Sequence, residues 1–240
     1  MNEEFLIFDL WGEMAHFRRY DTTSSPLSWP FPPRPTVFGI LSAILGLDKR
    51  SYLTEFQDEA VTVAISLPNQ QRPRSLRIAF NYTETKGVPL FRTTQHTQIR
   101  LEVLADVRYR IFFRHPSEER QKHLTELVRA HQSVYTVSLG LASMLADFAF
   151  IATAVPKAIE IVEPTTIVSV APYALAQPVR APDAAPLMVN AMPRQMTSER
   201  IVTAYQDVCY DARRPLLAVQ PKQAPIPAYD FGEYGVVVPL

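Results

Sequence analysis

Three features of this chain of 240 residues predict an α+β fold. Short apolar runs at strand spacing alternate with two longer runs at helical spacing. The first part orders them as strand, helix, strand, long hairpin, strand, helix, strand. Proline outnumbers glycine by 21 to 7, so the connections are stiff and extended. The order is the β-α-β-β-α-β plan of a ferredoxin-like (RRM-like) domain. Residues 1–155 read as that domain, with an inserted β-hairpin at about 82–100. Residues 156–240 read as a β-rich, proline-rich C-terminal extension packed on it.

The elements follow in order. Phe5 to Trp11 is a buried strand, apolar on both faces around Asp9. Pro35 suits a first helical position, and Val37, Phe38, Ile40, Leu41, Ile44 and Leu45 recur at helical spacing up to a C-capping Gly46. Tyr52 to Phe56 extends this helical region, and Glu59 to Leu67 is a strand. From Arg74 to Thr83, Leu76, Ile78, Phe80 and Tyr82 alternate with Arg77, Ala79 and Asn81. TKGVP is a turn signal, RTTQHTQ (Arg92 to Gln98) has little to bury, and Ile99 to Phe113 resumes the strand. Ser117 N-caps a helix reaching about Gln132, with Glu118 and Glu119 in its first turn. TVSLGLASMLAD reads as a turn into a short helix, and Ala149 to Val155 and Ala158 to Val162 as strands. Five prolines between Pro172 and Pro193 predict an extended excursion. Val202 to Val219 and Gly235 to Leu240 are closing strands.

Composition excludes several classes. Net charge is zero, so the molecule as a whole is not a polyanion sponge. The charge is unevenly spread: eight Lys or Arg fall between Arg72 and Arg110, against Glu84, Glu102 and Asp106. Such a run fits a partner bound on one face. Cys209 is alone, which leaves no disulfide framework and no zinc spacing. His16, His96, His115, His123 and His131 are scattered without HxxxH spacing, so neither a metal nor a cofactor is expected. No Gly-rich phosphate loop and no GxSxG is present. Glu3 and Glu4 stand where a signal peptide would be basic, and no apolar run approaches the roughly 20 residues of a membrane span. The expectation is a cytoplasmic protein with no membrane partner.

The stretch from Gly12 to Leu47 carries the chemistry. Arg18, Arg19 and Arg34 flank Tyr20, Trp29 and Phe31 on a path stiffened by Pro30, Pro32, Pro33 and Pro35. Cations beside flat rings on a rigid loop suit single-stranded nucleic acid. The arginines would neutralise phosphates, Tyr20 or Trp29 would stack a base, and Thr36 is a further candidate RNA contact. The alternative is a surface loop whose aromatics tuck under the sheet. A second group lies on the hairpin: Lys86, Arg92, Thr94, Gln95, His96, Gln98 and Arg100 offer donors on its basic, polar, nucleic-acid-facing loop. Ser138 and Gly140 mark a turn that either presents backbone N–H groups to a phosphate or simply packs tightly. His96 is the one catalytic suspect. RNA cleavage by a 2′-hydroxyl needs a base, an acid and a cation, and His96 has neither a lysine nor a matching tyrosine beside it.

GEMAHFRRY, SSPLSWPFPPRPTVFGILSAILGL and YTVSLGLASMLADF together resemble the fifth family of Cas (CRISPR-associated) proteins, the handle-binding subunits of type I Cascade complexes. The family signature pairs a G-x-x-A-x-F-R strand end with a P-F-P-P-x-T-x-x-G-x-L-x-x-x-L-G helix start. Here these are Gly12, Ala15, Phe17 and Arg18, then Pro30, Phe31, Pro32, Pro33, Thr36, Gly39, Leu41, Leu45 and Gly46. The match is specific over about the first fifty residues and moderate near Ser138 to Ala142. The resemblance implies that the hairpin is a thumb. It implies binding to the 5′ handle of the guide crRNA, with Cascade backbone subunits, the large subunit and target DNA near the protospacer-adjacent motif as partners. One branch of the family cleaves precursor crRNA with a tyrosine, a lysine and a histidine. A metal-free endoribonuclease is therefore the alternative to a non-catalytic subunit, and a structural module with no nucleic-acid contact is a third reading.

Overall fold

In the computed structural model, which describes residues 3–22, 25–56, 61–68, 74–83, 96–179, 184–213 and 215–240, the chain is built on one long strand. That strand, β6 (His96–Arg114), is 19 residues long. The opening strand β1 (Phe5–Ala15) pairs antiparallel along one of its edges, from Leu6 opposite Phe113 to Ala15 opposite Leu104. The other edge is shared. β4 (Thr62–Ser66) pairs with residues 110–114, and β5 (Arg74–Thr83) pairs with residues 96–105. β7 (Asp147–Ala154) closes the far side of β1, giving the order β4-β6-β1-β7. Helix α1 (Arg34–Leu45) connects β1 to β4, and α3 (Glu118–Arg129) connects β6 to β7; a single turn, α2 (Tyr52–Glu55), follows α1.

Alternation along β1 explains the two layers. Leu6, Phe8 and Leu10 point into the main core with Val37, Leu41 and Ile44 of α1 and Leu124 and Val128 of α3. Phe5 and Ile7 point the other way and meet Ala64, Phe112, Phe231 and Val237. Both faces of the sheet are therefore covered at this end. That is why the opening strand reads as apolar on both faces around Asp9. Ser117 is the N-cap of α3 and accepts from the Arg120 N–H at 3.4 Å, as its position beside Glu118 and Glu119 predicts.

The C-terminal third is nearly all strand. β8 (Lys157–Ile161) pairs with β15 (Ile226–Asp230), which pairs with β16 (Val236–Val237). β9 (Thr165–Ile167) and β11 (Ala176–Pro178) flank β14 (Leu217–Pro221). β10 (Ala171–Pro172) and β12 (Pro186–Met196) flank β13 (Val202–Asp211). Backbone bonds tie this part to the main sheet: the Val170 N–H donates to the Ile65 carbonyl and the Leu240 N–H to the Val63 carbonyl, both at 2.9 Å. Cys209 is fully buried among apolar side chains, and burial pushes its thiol up to about 12.

Three expectations need correction. The proline-rich excursion contains a paired strand: β12 runs alongside β13, and its register breaks at Val189, Pro193 and Gln195 absorb the prolines. Residues 136–147 form no helix. They close a tight loop through a bridge between Ser138 and Leu145. The hairpin is also longer than about 82–100, because its described arms pair from Arg74 opposite Ala105 to Thr83 opposite His96. Leu101 and Val103 on this arm bury against Met144, so its base belongs to the packed body. Among the described residues, no helix is long and apolar enough to cross a membrane.

Asp106 lies where β6 changes partners, and its φ is 54°. Aspartate tolerates this left-handed region better than a β-branched residue. Asp106→Val is expected to destabilise the protein by about 1–2 kcal/mol, read as the shift in urea unfolding midpoint. Asp106→Gly should cost nothing. Equal loss in both variants would place the effect in the exposed Arg74 contact at 3.4 Å and not in the backbone.

Candidate nucleic-acid interface

The loop after β1 is fastened from several sides. Two-residue strands β2 (Phe17–Arg18) and β3 (Ser28–Trp29) pair with each other, and the Phe17 N–H donates to Ser28 Oγ at 2.9 Å. Glu102 of β6 anchors this unit. Its carboxylate accepts the Ser28 N–H at 2.9 Å and the Ser75 hydroxyl, its N–H donates to the Pro26 carbonyl, and its carbonyl takes His16 Nδ1 at 2.7 Å. Further on, the buried Tyr109 hydroxyl donates to the Pro30 carbonyl at 3.1 Å. A charged carboxylate accepting a backbone N–H and a hydroxyl is a strong tether.

The 136–147 loop lies on the same strand end. Its approach depends on two glycines. A Cβ at Gly140, whose φ is +96°, would overlap the His16 carbonyl, and one at Gly12 would stand 2.8 Å from the Leu145 carbonyl. The gain is a backbone bond from the His16 N–H to the Leu139 carbonyl at 3.0 Å. His16 is thereby buried. Burial is the largest influence on it and lowers its pKa below the ordinary 6.5, with Arg18 adding to that and the Glu102 carbonyl opposing it.

These segments, the Gly39 face of α1 and the strand end of β12 enclose a cleft of about 780 Å³. Five predicted residues line it: Arg18, Trp29, Thr36, Ser138 and Gly140. Lys49 and Arg200 join Arg18 as its lysine and arginine cations, against Asp48 as its carboxylate. All four are exposed. Tyr52 and the exposed Tyr135 add aromatic surface. Burial raises the Tyr52 phenol above its ordinary value, opposed by nearby Arg200. A partly apolar cleft of this size with a cationic rim suits a nucleotide-sized anionic group.

Other predicted residues fall elsewhere. Trp29 is only 2% exposed, so it cannot offer a face for stacking; Arg19 covers its ring at 4.8 Å and pairs with Asp21 at 2.7 Å. Tyr20 is 56% exposed, with its ring 5.2 Å from Tyr205 of β13. Arg34 is turned inward, 6% exposed, and donates to the Val61 carbonyl, so it cannot meet a phosphate in the cleft. Gln98 and Arg100 are exposed on the hairpin arm. Lys86, Arg92, Thr94 and Gln95 lie outside the described residues, and of His96 only the backbone, at the start of β6, is described. Within the described part of the basic run, three arginines have carboxylate partners. Arg108 and Arg110 both clamp the buried Asp9 carboxylate, at 2.8 and 2.7 Å, and Arg74 meets Asp106. The sheet face opposite the helices is likewise not free along its length, since Phe231 and Val237 cover part of it.

The family described as "CRISPR-associated protein (Cas_Cas5)" matches residues 5–208. The chain belongs to this family. The match takes in every segment of the cleft, from the His16 strand end to Arg200. Among solved structures, this Cas family member is similar to a chain of a CRISPR RNA-guided surveillance complex, with 12% identity, a TM-score of 0.51 and coverage of 93% of this chain and 91% of that one. It is also similar to a CRISPR protein from Archaeoglobus fulgidus, with 12% identity, a TM-score of 0.54 and coverage of 98% and 99%. At such identities the likeness concerns the fold. A search of curated proteins finds no match.

Lys49, Tyr52, Tyr135 and Arg200 were not singled out from sequence. Tyr135 adjoins the Ser138 segment and was within reach of a motif argument. Arg200 stands in a distant hairpin turn and carried no signal. The lowered pKa of His16 predicts a pH effect. A group whose folded pKa lies below its unfolded value resists protonation in the native state. Stability is therefore unaffected above about pH 6.5 and lost as pH falls from there through the folded pKa. Urea midpoints measured from about pH 8 down to about pH 5 should show this loss in the wild type and a smaller one in His16→Asn. Identical profiles would place the titration elsewhere.

Proposed function

We propose that this chain is the non-catalytic subunit of a type I CRISPR Cascade surveillance complex that binds and caps the 5′ handle of the guide crRNA. Membership of the Cas family supports the setting. The observation that carries the handle-binding role is the cleft, which gathers Arg18, Thr36, Ser138, Gly140, Lys49 and Arg200 from segments far apart in the chain. Arg18, Lys49 and Arg200 would neutralise handle phosphates, Tyr135 would stack an unpaired base, and the Ser138–Gly140 turn would donate to a phosphate. Tyr20, seated against Tyr205, would extend the stacking surface.

The strand order supports reading the first 155 residues as a ferredoxin-like domain, a split βαβ with β6 between two parallel strands, and residues 156–240 as an extension packed on it. The β5–β6 hairpin would be the thumb. With Gln98 and Arg100 on its arm and Lys86, Arg92, Thr94, Gln95 and His96 beyond, it would cross the guide toward a backbone subunit. The large subunit and target DNA near the protospacer-adjacent motif would be the other neighbours, in the cytoplasm. The absence of catalysis rests on His16, the histidine lining the cleft. Its Nδ1 is held on a carbonyl and burial favours its neutral form, so it is poorly placed to protonate a leaving oxygen.

The test is charge reversal at Arg18 and Arg200 together. Guide RNA affinity should collapse while the circular dichroism spectrum stays unchanged, and the salt dependence should flatten by up to about one unit of slope per lost contact. Undiminished affinity in the folded double variant sinks the assignment. Repeat RNA incubated with wild-type protein in EDTA should remain uncut; a discrete product would make the endoribonuclease reading the correct one.

A further inference from the structure

A second cavity, of about 240 Å³, opens at the N-terminus of α1. Pro35 and Met196 line both it and the cleft, and the remaining walls are different. Its polar lining is Arg34, Arg194, Gln195, Thr197 and Thr203, and Phe38 and Phe56 form apolar walls.

Arg34 is the unusual group. Its side chain is buried, its guanidinium lies 4.6 Å from the centre of the Phe38 ring, and one nitrogen, Nη2, donates to the Val61 carbonyl at 2.9 Å. Its Nε is buried with no partner. Among the described residues, no carboxylate pairs with it. Among the described residues, the charge that acts on it is Arg194, which has the same sign. Burial and this repulsion lower Arg34 to about 10, so it is still a cation at neutral pH. The first turn of α1 holds no acidic residue, so the positive end of the helix adds to the same field. Buried cations are ordinarily paired because desolvation is costly. Here two arginines and a helix end converge on a cavity, and among the described residues no carboxylate balances them.

We propose that this cavity is an oxyanion site that takes a phosphate group between Arg34 and Arg194. The guanidinium fork suits two oxygens of a tetrahedral anion, and the threonine hydroxyls can serve the others. The cavity is below the roughly 300 Å³ of ordinary ligand pockets, so it takes the group and not a whole nucleotide. The phosphate comes either from free ion or from a strand of RNA. The site does not depend on the handle-binding reading, because the Arg18 and Arg200 variants leave it intact.

Thermal unfolding of the full chain in inorganic phosphate, against sodium chloride of equal ionic strength, tests it. The wild-type midpoint should rise with phosphate and saturate, as for a ligand that binds only the native state. Arg194→Gln, at an exposed position, should fold and lose most of that rise, and Thr203→Val should lose part of it. Arg34→Lys, which keeps the charge without the fork, should also respond less. If phosphate does no more than chloride in the wild type, or if Arg194→Gln keeps the full rise, the proposal is wrong. The source is read separately from RNA binding. An RNA phosphate predicts that Arg194→Gln lowers the salt slope by about one, whereas a free ion leaves it unchanged.

Discussion

The structure depends on one long strand serving two sets of neighbours. At 19 residues, β6 is well beyond the usual 3–10. One half sits in the sheet between β1 and β4, and the other half leaves with β5 as a projecting arm. Because pairing is continuous through Ala105, the arm's direction is coupled to the core. Asp106 absorbs the change of partner in a left-handed backbone conformation. Glu102, at the base of the arm, then holds the loop that carries Arg18. Core, arm and cleft are in this way positioned by one segment.

Charge is used in two ways along that segment. Asp9 sits in a strand covered on both faces, 1% exposed, and a buried carboxylate is tolerable only when paired. Arg108 and Arg110 supply the pairing, so two cations of the basic run are structural. The Arg108 guanidinium also covers Trp11 at 5.1 Å. The cations left at the cleft come from elsewhere: the β1–β2 strand end, the end of α1 and the turn between β12 and β13. A count of arginines along the chain therefore does not separate the cations that pair inside the sheet from those that stay exposed.

The loop's aromatics divide by the same physics. Trp29 and Phe31 fill the core beneath the loop, with Phe31 edge-on to Tyr210 at 5.6 Å. Tyr20, with a polar tip, stays at the surface on Tyr205. Trp29 and Phe31 are thus tucked under the loop, and Tyr20 stays exposed. The prolines that carry the loop do so because their carbonyls are claimed by the body of the protein: Pro26 by the Glu102 N–H, Pro30 by Tyr109 and Pro33 by the start of α1.

Local rules were sufficient for much of this protein. Helical periodicity located α1, Ser117 and its glutamates located the start of α3, and alternation located β5 and β6, because each signal lies within one turn or one strand. Gly12, Arg18, Thr36, Ser138 and Gly140 were legible as residues of interest from their short patterns. The sequence could not show that Gly12 and Gly140 serve one close approach, since that depends on the 136–147 loop meeting a strand end more than a hundred residues away. It could not show that Trp29 and Arg34 turn inward, because burial is a property of what packs over them. It read the 136–147 segment as a turn into a short helix and the proline-rich segment as an extended excursion. The bridge of Ser138 to Leu145 and the bulged pairing of β12 on β13 satisfy backbone groups across space, not along the chain. Arg200 enters the cleft only through that pairing. Local structure followed from neighbouring residues, and the site followed from long-range packing.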